Sequence, residues 1–347
     1  MNPALRILSP GLSTTVQDLG RPGYQRLGVA LGGALDPVAL RAANSLAGNP
    51  GNTGVLEAAY IGPSFVVDAD DARLAFAGAD AAIEILDDLN ATGGETIEPM
   101  RSVRVRRGQV IRVGSLKHGA TLYIAVEGGF DIAPVLGSVA TDSRGKMGGW
   151  QGRALIAGDV LPLSHATAML RDEYRIDGLD LSARRCFRAV PGPQSDYFAE
   201  DEIARFFAAE YTVSAESNRM GMRLEGAPIR HRHSFNIISD AIATGSIQVP
   251  GDGQPIVLLA DHQTTGGYPK IATVISADLS ALGRLPIGAQ VSFAPITMEE
   301  AAAERRKFAA ALDEIGGKLV RISPPSVAVA SRLLECNLIS GVYDAAA

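Results

Sequence analysis

The chain has 347 residues, 46% of them hydrophobic and 20% charged, with 38 Gly and 19 Pro, a balance expected of a soluble globular protein of about two or three domains with many turns and short strands. A net charge of −6 gives no global field that attracts nucleic acid or an anionic membrane. No uninterrupted apolar stretch is long enough to span a bilayer, the N-terminal "MNPALRILSPGLSTTV" lacks the long apolar h-region of a signal peptide, and Cys186 and Cys336 stand in no redox or metal motif, so a reduced, cytoplasmic setting is expected.

In chain order, "LRILSP", "SFVVDA", "ARLAFAG", "AAIEIL", "SVRVRRGQVIRVG", "TLYIAVEGG" and "DVLPL" read as short strands separated by Gly, Asp or Asn. Among the first of them lies a helix, "DPVALRAANSLAGNP". Asp36 suits its N-cap, Pro37 its first turn and Gly48 its C-terminal stop, while Val38, Leu40, Ala42 and Leu46 keep helical spacing. A second helix is predicted in "SDYFAEDEIARFFAAE", with Phe198, Ile203, Phe206 and Phe207 as its buried stripe. A third begins at Thr297, where Thr297 and Glu300 fit a capping box and Gly316 fits the stop. The tail after Lys318, with Pro324 and Pro325, reads as an appendage on the surface or on another chain.

The chain also echoes itself. "GATLYIAVEGGFDIAPVLGSVATDS" leads to "GRALIAGDVLPL", and "GQPIVLLADHQTTGGYPKIATVISAD" leads to "GRLPIGAQVSF". Each copy runs from an apolar strand through a Gly-Gly loop and a Gly-Arg turn to a closing strand. Two barrel-like units are the simplest reading. The predicted boundaries are 1–165 for the first, 185–295 for the second, and 296–347 for a C-terminal helix and tail.

Several chemical motifs fail. "TDSRGKMGG" lacks the first Gly of a P-loop and has Met147 where a hydroxyl should bind Mg²⁺. There is no Gly-x-Ser-x-Gly elbow. His231 and His233 in "RHRHS" have no third ligand nearby in sequence, so no metal is expected. "RSVRVRR" reads as the solvent face of an edge strand.

Three constellations remain. "TTVQDLGRPGYQRLGVALGGALDP" offers Gln17, Asp18 and Arg21 in a Gly/Pro-rich loop. "ESNRMGMRLEG" offers Asn218 and Arg219. "GSIQVPGDGQPIVLLADHQTTGGYPK" offers Gln248, Gln254, Gln263, Thr264, Thr265, Tyr268 and Lys270. Tight irregular loops use such side chains to satisfy buried backbone groups. Three loops rich in amide and guanidinium groups also suit a substrate-binding site for a carboxylate, an amide or a urea-like ligand. No complete catalytic set is visible, so the catalytic residues stay unassigned.

The same stretches, with "SNRMGMRLEG" and "LPIGAQVSF", resemble the family variously called allophanate hydrolase subunit 2, biotin-dependent carboxyltransferase subdomains A and B, and the C component of 5-oxoprolinase. The resemblance runs over about residues 3–310. It implies a mainly β fold with a few helices and two cyclophilin-like β-barrel subdomains. It implies a heteromeric, ATP-using 5-oxoprolinase that opens 5-oxo-L-proline to L-glutamate. The partners it implies are a subunit-1-type protein (the B component) of related fold and a lactam-utilisation-type protein (the A component), with no covalently bound cofactor. Nucleotide binding by the complex follows from that implication. The alternatives it implies are a carboxyltransferase component of a biotin-dependent urea carboxylase and allophanate pathway, or a non-catalytic partner or antagonist of a subunit-1-type protein. Relatives with Cys in place of Gly32 or Gly33 differ from this chain, where "LGGALD" provides no thiol nucleophile. The isolated chain is expected to be inactive. On this reading Gly266 and Gly267 bring backbone N–H groups up to a ligand beside Gln263, Thr264 and Thr265.

Overall fold

The computed structural model describes residues 2–322. Among these residues the α-helices are α1 (Pro37–Ala47), α2 (Glu200–Ala208), α3 (Leu279–Gly283) and α4 (Met298–Asp313), and the remainder is short strands and their connections.

Two sheets enclose the first core. One has six strands in the order Val160–Pro162, Ala4–Ser9, Ser64–Val67, Val110–Val113, Ile83–Leu86 and Glu95–Ile97. The other has seven, in the order Ser13–Gln17, Val55–Ala59, Lys117–Val126, Asp71–Asp80, Arg101–Arg106, Glu173–Ile176 and Leu319–Ile322. Leu5, Phe65, Phe76, Ile111, Leu122 and Ile124 meet between the sheets. The other face of the seven-stranded sheet is also covered. There Ala75, Ala77, Tyr123 and Ala125 pack under Ala39, Leu40, Ala43 and Leu46 of α1. The small side chains let helix and sheet approach closely, and burial on both faces explains why these strands read as continuous apolar runs. Asp36 caps α1 by accepting from the backbone N–H of Val38 (3.1 Å) and Ala39 (3.3 Å), and Gly48 ends it in the left-handed region at φ 78°.

The second unit is a closed barrel of seven strands. Around the ring they run Cys186–Pro191, Lys270–Val274, Ser246–Gln248, Ile256–Leu258, Gly221–Glu225, Glu210–Val213 and Gln290–Pro295, and the last pairs in parallel with the first. Phe187, Tyr211, Leu224, Ile247, Val257, Ile271 and Phe293 belong to its core. Phe206 of α2 stacks on Phe293 at 5.1 Å, with Phe198 buried alongside it in that core. In both units the closing strand follows a left-handed glycine, Gly158 at φ 91° and Gly288 at φ 82°, which is where the sequence echo is most literal.

The chain beyond the barrel returns to the first unit. The capping box of Thr297 and Glu300 starts α4 as expected. The helix ends at Asp313 with Glu314 as its C-cap, and Gly316 lies in the 3₁₀ turn Ile315–Lys318 that follows, where Ile315 is buried against α1. Leu319–Ile322, expected to begin an appendage, instead adds a strand beside Glu173–Ile176. Pro324, Pro325 and Cys336 lie outside the described residues. The polar segment around residues 164–185 also contributes a strand, because fully buried Arg73 draws it in. The Arg73 guanidinium pairs with Glu127 and with Glu173 (2.9 Å) and donates to the carbonyls of Met169 and Arg171. The "RSVRVRR" strand presents Arg104 and Arg106 to solvent. It is not a free edge, because Arg101 pairs with Arg175.

Candidate active-site cleft at the seam of the two units

Ile256–Leu258 and Lys270–Val274 both look like buried strands, yet they are not hairpin partners. Ser246–Gln248 lies between them and pairs with each. The connection from residue 259 to 269 must therefore pass over the end of that strand, which a two-residue turn cannot do. One backbone bond, from the Gly32 N–H to the Ala260 carbonyl (3.0 Å), ties it to the first unit, and another, from the Asp261 N–H to the Arg219 carbonyl (3.0 Å), holds it against its own barrel.

Arg219 fastens this loop to the first unit. Its guanidinium donates to both carboxylate oxygens of Asp261 (2.8 and 3.0 Å), to Glu57 on strand Val55–Ala59, and to the Gly33 carbonyl. Two charge partners hold it protonated well above the ordinary arginine range, against the cost of burial. Glu57 also accepts from the Tyr123 hydroxyl (2.7 Å) and the Leu35 N–H (2.9 Å). Burial, then the nearby Glu57 charge, pushes the Tyr123 hydroxyl well above its usual range, so it stays a donor. A second seam pair joins Arg284 to Asp36 at 2.9 Å.

Behind this seam lies a cleft of about 370 Å³. It is walled by residues 28–30, by Asp142, Arg144, Gly145 and Met147, and by the run Asp261–Thr265. His262 is fully buried. Its Nδ1 lies 2.6 Å from the Gln263 carbonyl and its Nε2 3.1 Å from the Thr244 hydroxyl. A neutral imidazole satisfies both, with Nδ1–H donating to the carbonyl and Nε2 accepting from the hydroxyl. Burial holds its pKa below the ordinary histidine range, although the Gln263 carbonyl and the Asp261 charge favour the protonated form. A smaller cavity of about 150 Å³ adjoins Asn218, Met220, Arg223, Gln248 and Gln263, so Gln263 lines both. A larger groove of about 720 Å³ on the linker side is lined by Asp80, His118, Leu179, Arg184 and Gln290. Its contact between His118 and Asp80, at 2.8 Å, joins exposed groups, so it offers no desolvated chemistry.

Residues 27–295 match the family described as carboxyltransferase domain, subdomain A and B. The chain belongs to that family. It is 38% identical over 303 residues to the C component of 5-oxoprolinase from Escherichia coli, covering 87% of this chain and 94% of that protein. It is likewise 38% identical over 310 residues to the corresponding 5-oxoprolinase component of Haemophilus influenzae, covering 89% and 96%. The crystal structure of the K. lactis urea amidolyase superposes with a TM-score of 0.83 at 27% identity, covering 94% of this chain and 21% of that one.

The three constellations of this family member do converge on the seam, but many of their side chains are already engaged. Asp18 shapes the first loop by accepting from the N–H groups of Gly20 and Val139 and from the Ser138 hydroxyl. Gln17 is fully buried and donates to the Thr15 hydroxyl (3.0 Å) and the Thr141 carbonyl (3.3 Å). Arg219 is the seam tie just described. Asn218 accepts from the Met220 N–H and borders the smaller cavity, as does Gln248. Gln254 sits in an exposed turn, clamping both backbone groups of Gly226, away from either cavity. Lys270 is 2% exposed and reaches Asp240 at 3.0 Å, so it is a barrel-strand residue rather than a cleft wall. Tyr268 is 38% exposed and does not line the cleft.

The Gly-Gly kink also has a packing reason. Thr265–Gly266 forms a two-residue ribbon with Asp240–Ala241, and a Cβ at Gly266 would stand 2.5 Å from Ile242. Gln263, Thr264 and Thr265 do face the cleft. Sequence reasoning left out His262 as a candidate and set aside the "TDSRGKMGG" loop with the P-loop idea, although Asp142, Arg144 and Met147 form the opposite wall. The signal that could have found that wall was its polar and Gly-rich character, which the P-loop test alone did not weigh. Among the described residues no group of three or more His, Cys, Asp or Glu could hold a metal. His231 instead bonds the Val249 carbonyl and packs on Phe198, and His233 packs edge-on against Tyr197.

Proposed function

We propose that the chain is the C component of a cytoplasmic, ATP-dependent 5-oxoprolinase complex that hydrolyses 5-oxo-L-proline to L-glutamate. The supporting observation is 38% identity along 94% and 96% of two proteins named as that component of 5-oxoprolinase. Similarity to the much longer urea amidolyases covers 18–21% of their length. In the proposed reaction the lactam oxygen attacks the terminal phosphorus of ATP and ADP leaves. Water then adds to the activated carbon, the ring C–N bond breaks with proton transfer to nitrogen, and phosphate departs.

Within this scheme the cleft binds the lactam. Gln263, Thr264 and Thr265 supply hydrogen bonds to its amide and to charge that develops on the ring oxygen. Asp261 is fixed by Arg219, and both ring nitrogens of His262 are engaged, by the Gln263 carbonyl and the Thr244 hydroxyl, so neither side chain is free to act as the general base. This chain therefore works only with its partners, a subunit-1-type B component and a lactam-utilisation-type A component.

The test is co-expression with those two proteins and measurement of ADP and glutamate released from 5-oxo-L-proline. The expected result is release by the complex and none by the isolated chain. An assembled complex that yields neither product overturns the proposal. Turnover of urea by a biotin-carrying assembly would instead place the chain in the urea carboxylase branch.

A further inference from the structure

Arg21 is fully buried, and among the described residues no acidic side chain bonds its guanidinium. Its Nη2 donates to the Ala140 carbonyl, while Nε and Nη1 have no partner. A buried cation with no counter-ion and two empty donors is strongly unfavourable, and it is kept only where something else compensates. The surroundings show where that compensation fits. The guanidinium rests against Gly32 and Gly148, both with left-handed φ (66° and 65°). A Cβ at Gly32 would lie 3.1 Å from Nη1 and 4.0 Å from Asp261 Oδ1, and a Cβ at Gly148 would lie 2.7 Å from Nη2. Gly32 thus lets its backbone pack between the free Nη1 donor and Asp261, which lines the cleft, with no open space beside the guanidinium in the unliganded protein. Met147, next to Gly148, lines it as well.

We infer that Arg21 is the carboxylate-binding residue of the cleft. Its ligand is a small acid with an N–H beside the carboxylate. The carboxylate accepts from Nη1, and the N–H donates to Asp261 Oδ1, whose charge Arg219 already balances. Entry past Gly32 requires the glycine-rich 142–149 loop to move outward, since Arg21 is closed off in the unliganded protein. Identifying 5-oxo-L-proline as such an acid rests on the function proposed above, whereas the anion site itself does not.

The experiment measures binding by titration calorimetry, on the chain alone and on the assembled complex. The probes are 5-oxo-L-proline, N-acetylglycine and 2-pyrrolidinone, which keeps the lactam ring but lacks the carboxylate. The wild-type protein is expected to prefer the acids by on the order of 10- to 100-fold, the factor for one hydrogen bond to a charged group. Arg21→Met should bind all three equally weakly, and Arg21→Lys should keep part of the preference. The inference is overturned if wild type binds 2-pyrrolidinone as tightly as the acids, a result that needs no variant to fold. It is equally overturned if Arg21→Met keeps the full preference, or if inorganic phosphate rather than the acids binds in an Arg21-dependent way. Arg21-dependent binding of N-acetylglycine without 5-oxoproline turnover would retain the anion site and remove only the functional reading.

Discussion

Removing the guanidinium of Arg219 tests whether the seam is held by charge. In Arg219→Met, Glu57 (4% exposed) loses its ion pair but keeps the Tyr123 hydroxyl and the Leu35 N–H, while Asp261 loses both donors of a two-pronged contact. Breaking a buried pair by removing one partner costs about 3–5 kcal/mol. Arg219 is about one-fifth exposed and Glu57 retains two donors, so the lower end, about 3 kcal/mol, is expected. For domains of this size each kcal/mol moves the melting temperature by about 2–4 °C, giving a drop of roughly 6–12 °C. Arg219→Lys should fall between, since a lysine keeps the charge but cannot span Asp261, Glu57 and the Gly33 carbonyl at once. The assay is thermal unfolding followed by circular dichroism, with Glu57→Gln completing a double-mutant cycle. A coupling near zero, or a drop below about 2 °C in Arg219→Met, would refute the assignment of Arg219 as the tie.

The other predictions concern the cleft and its supports. Because burial lowers the His262 pKa, the unfolded chain binds the proton more tightly. Stability should therefore decline as pH falls below about 6.5, by at most about 1.4 kcal/mol per pH unit, and His262→Gln should flatten that slope in melts between pH 5 and 7. Gln263→Ala and Thr265→Ala should melt within about 2 °C of wild type yet lower turnover of the assembled complex by on the order of a hundredfold, the scale for one lost preorganised donor. Arg104→Ala, which breaks only a surface pair with Asp71, should leave turnover unchanged. Lys270→Ala should destabilise measurably in urea titrations, because it empties a buried position and frees Asp240, and with it the ribbon, from its latch to the barrel strand; an unchanged midpoint would mean that the latch contributes nothing.

Much of the fold was readable because its signals are local. Asp36, Pro37 and Gly48 bound α1, and Thr297 with Glu300 starts α4, since caps satisfy the end groups of their own helix. Strand order was not readable. Nothing within "PIVLLADHQTTGGYPKIATVI" says that Ser246–Gln248 lies between its two apolar runs, so the loop looked like an overlong hairpin when it is a crossing. The return of residues 298–322 to the first unit was equally hidden, because it depends on Ile315 meeting α1 and on Arg73 drawing in Glu173. At the candidate site, composition singled out loops that line the cleft or the seam, through their polar side chains beside glycines. It could not separate a side chain that faces a ligand from one that braces a turn. Asp18 and Gln254 hold backbone, whereas Gln263 faces open space, and only the third dimension distinguishes them.

The position of the cleft follows from how the two units close. Each satisfies its backbone within its own sheets or barrel, so the groups free to face a ligand are confined to connections between strands. Three of those connections, from residues 18–33, 142–149 and 259–265, meet where the units abut. An apolar seam there would have filled the space with side chains. This seam is instead held by Arg219 with Glu57 and Asp261 and by Arg284 with Asp36, each needing only a few atoms of contact. Charged ties of that kind leave room beside them, and the glycines at 32, 145 and 148 let the loops around it pack closely, since a Cβ there would stand only 3.1, 2.7 and 2.1 Å from its nearest neighbour. The same economy leaves Arg21 without a counter-ion among the described residues. Under the anion site inferred above, an acid that supplies a carboxylate to Arg21 would offset the cost of burying that cation without a counter-ion, so such a site would select for what completes its charges.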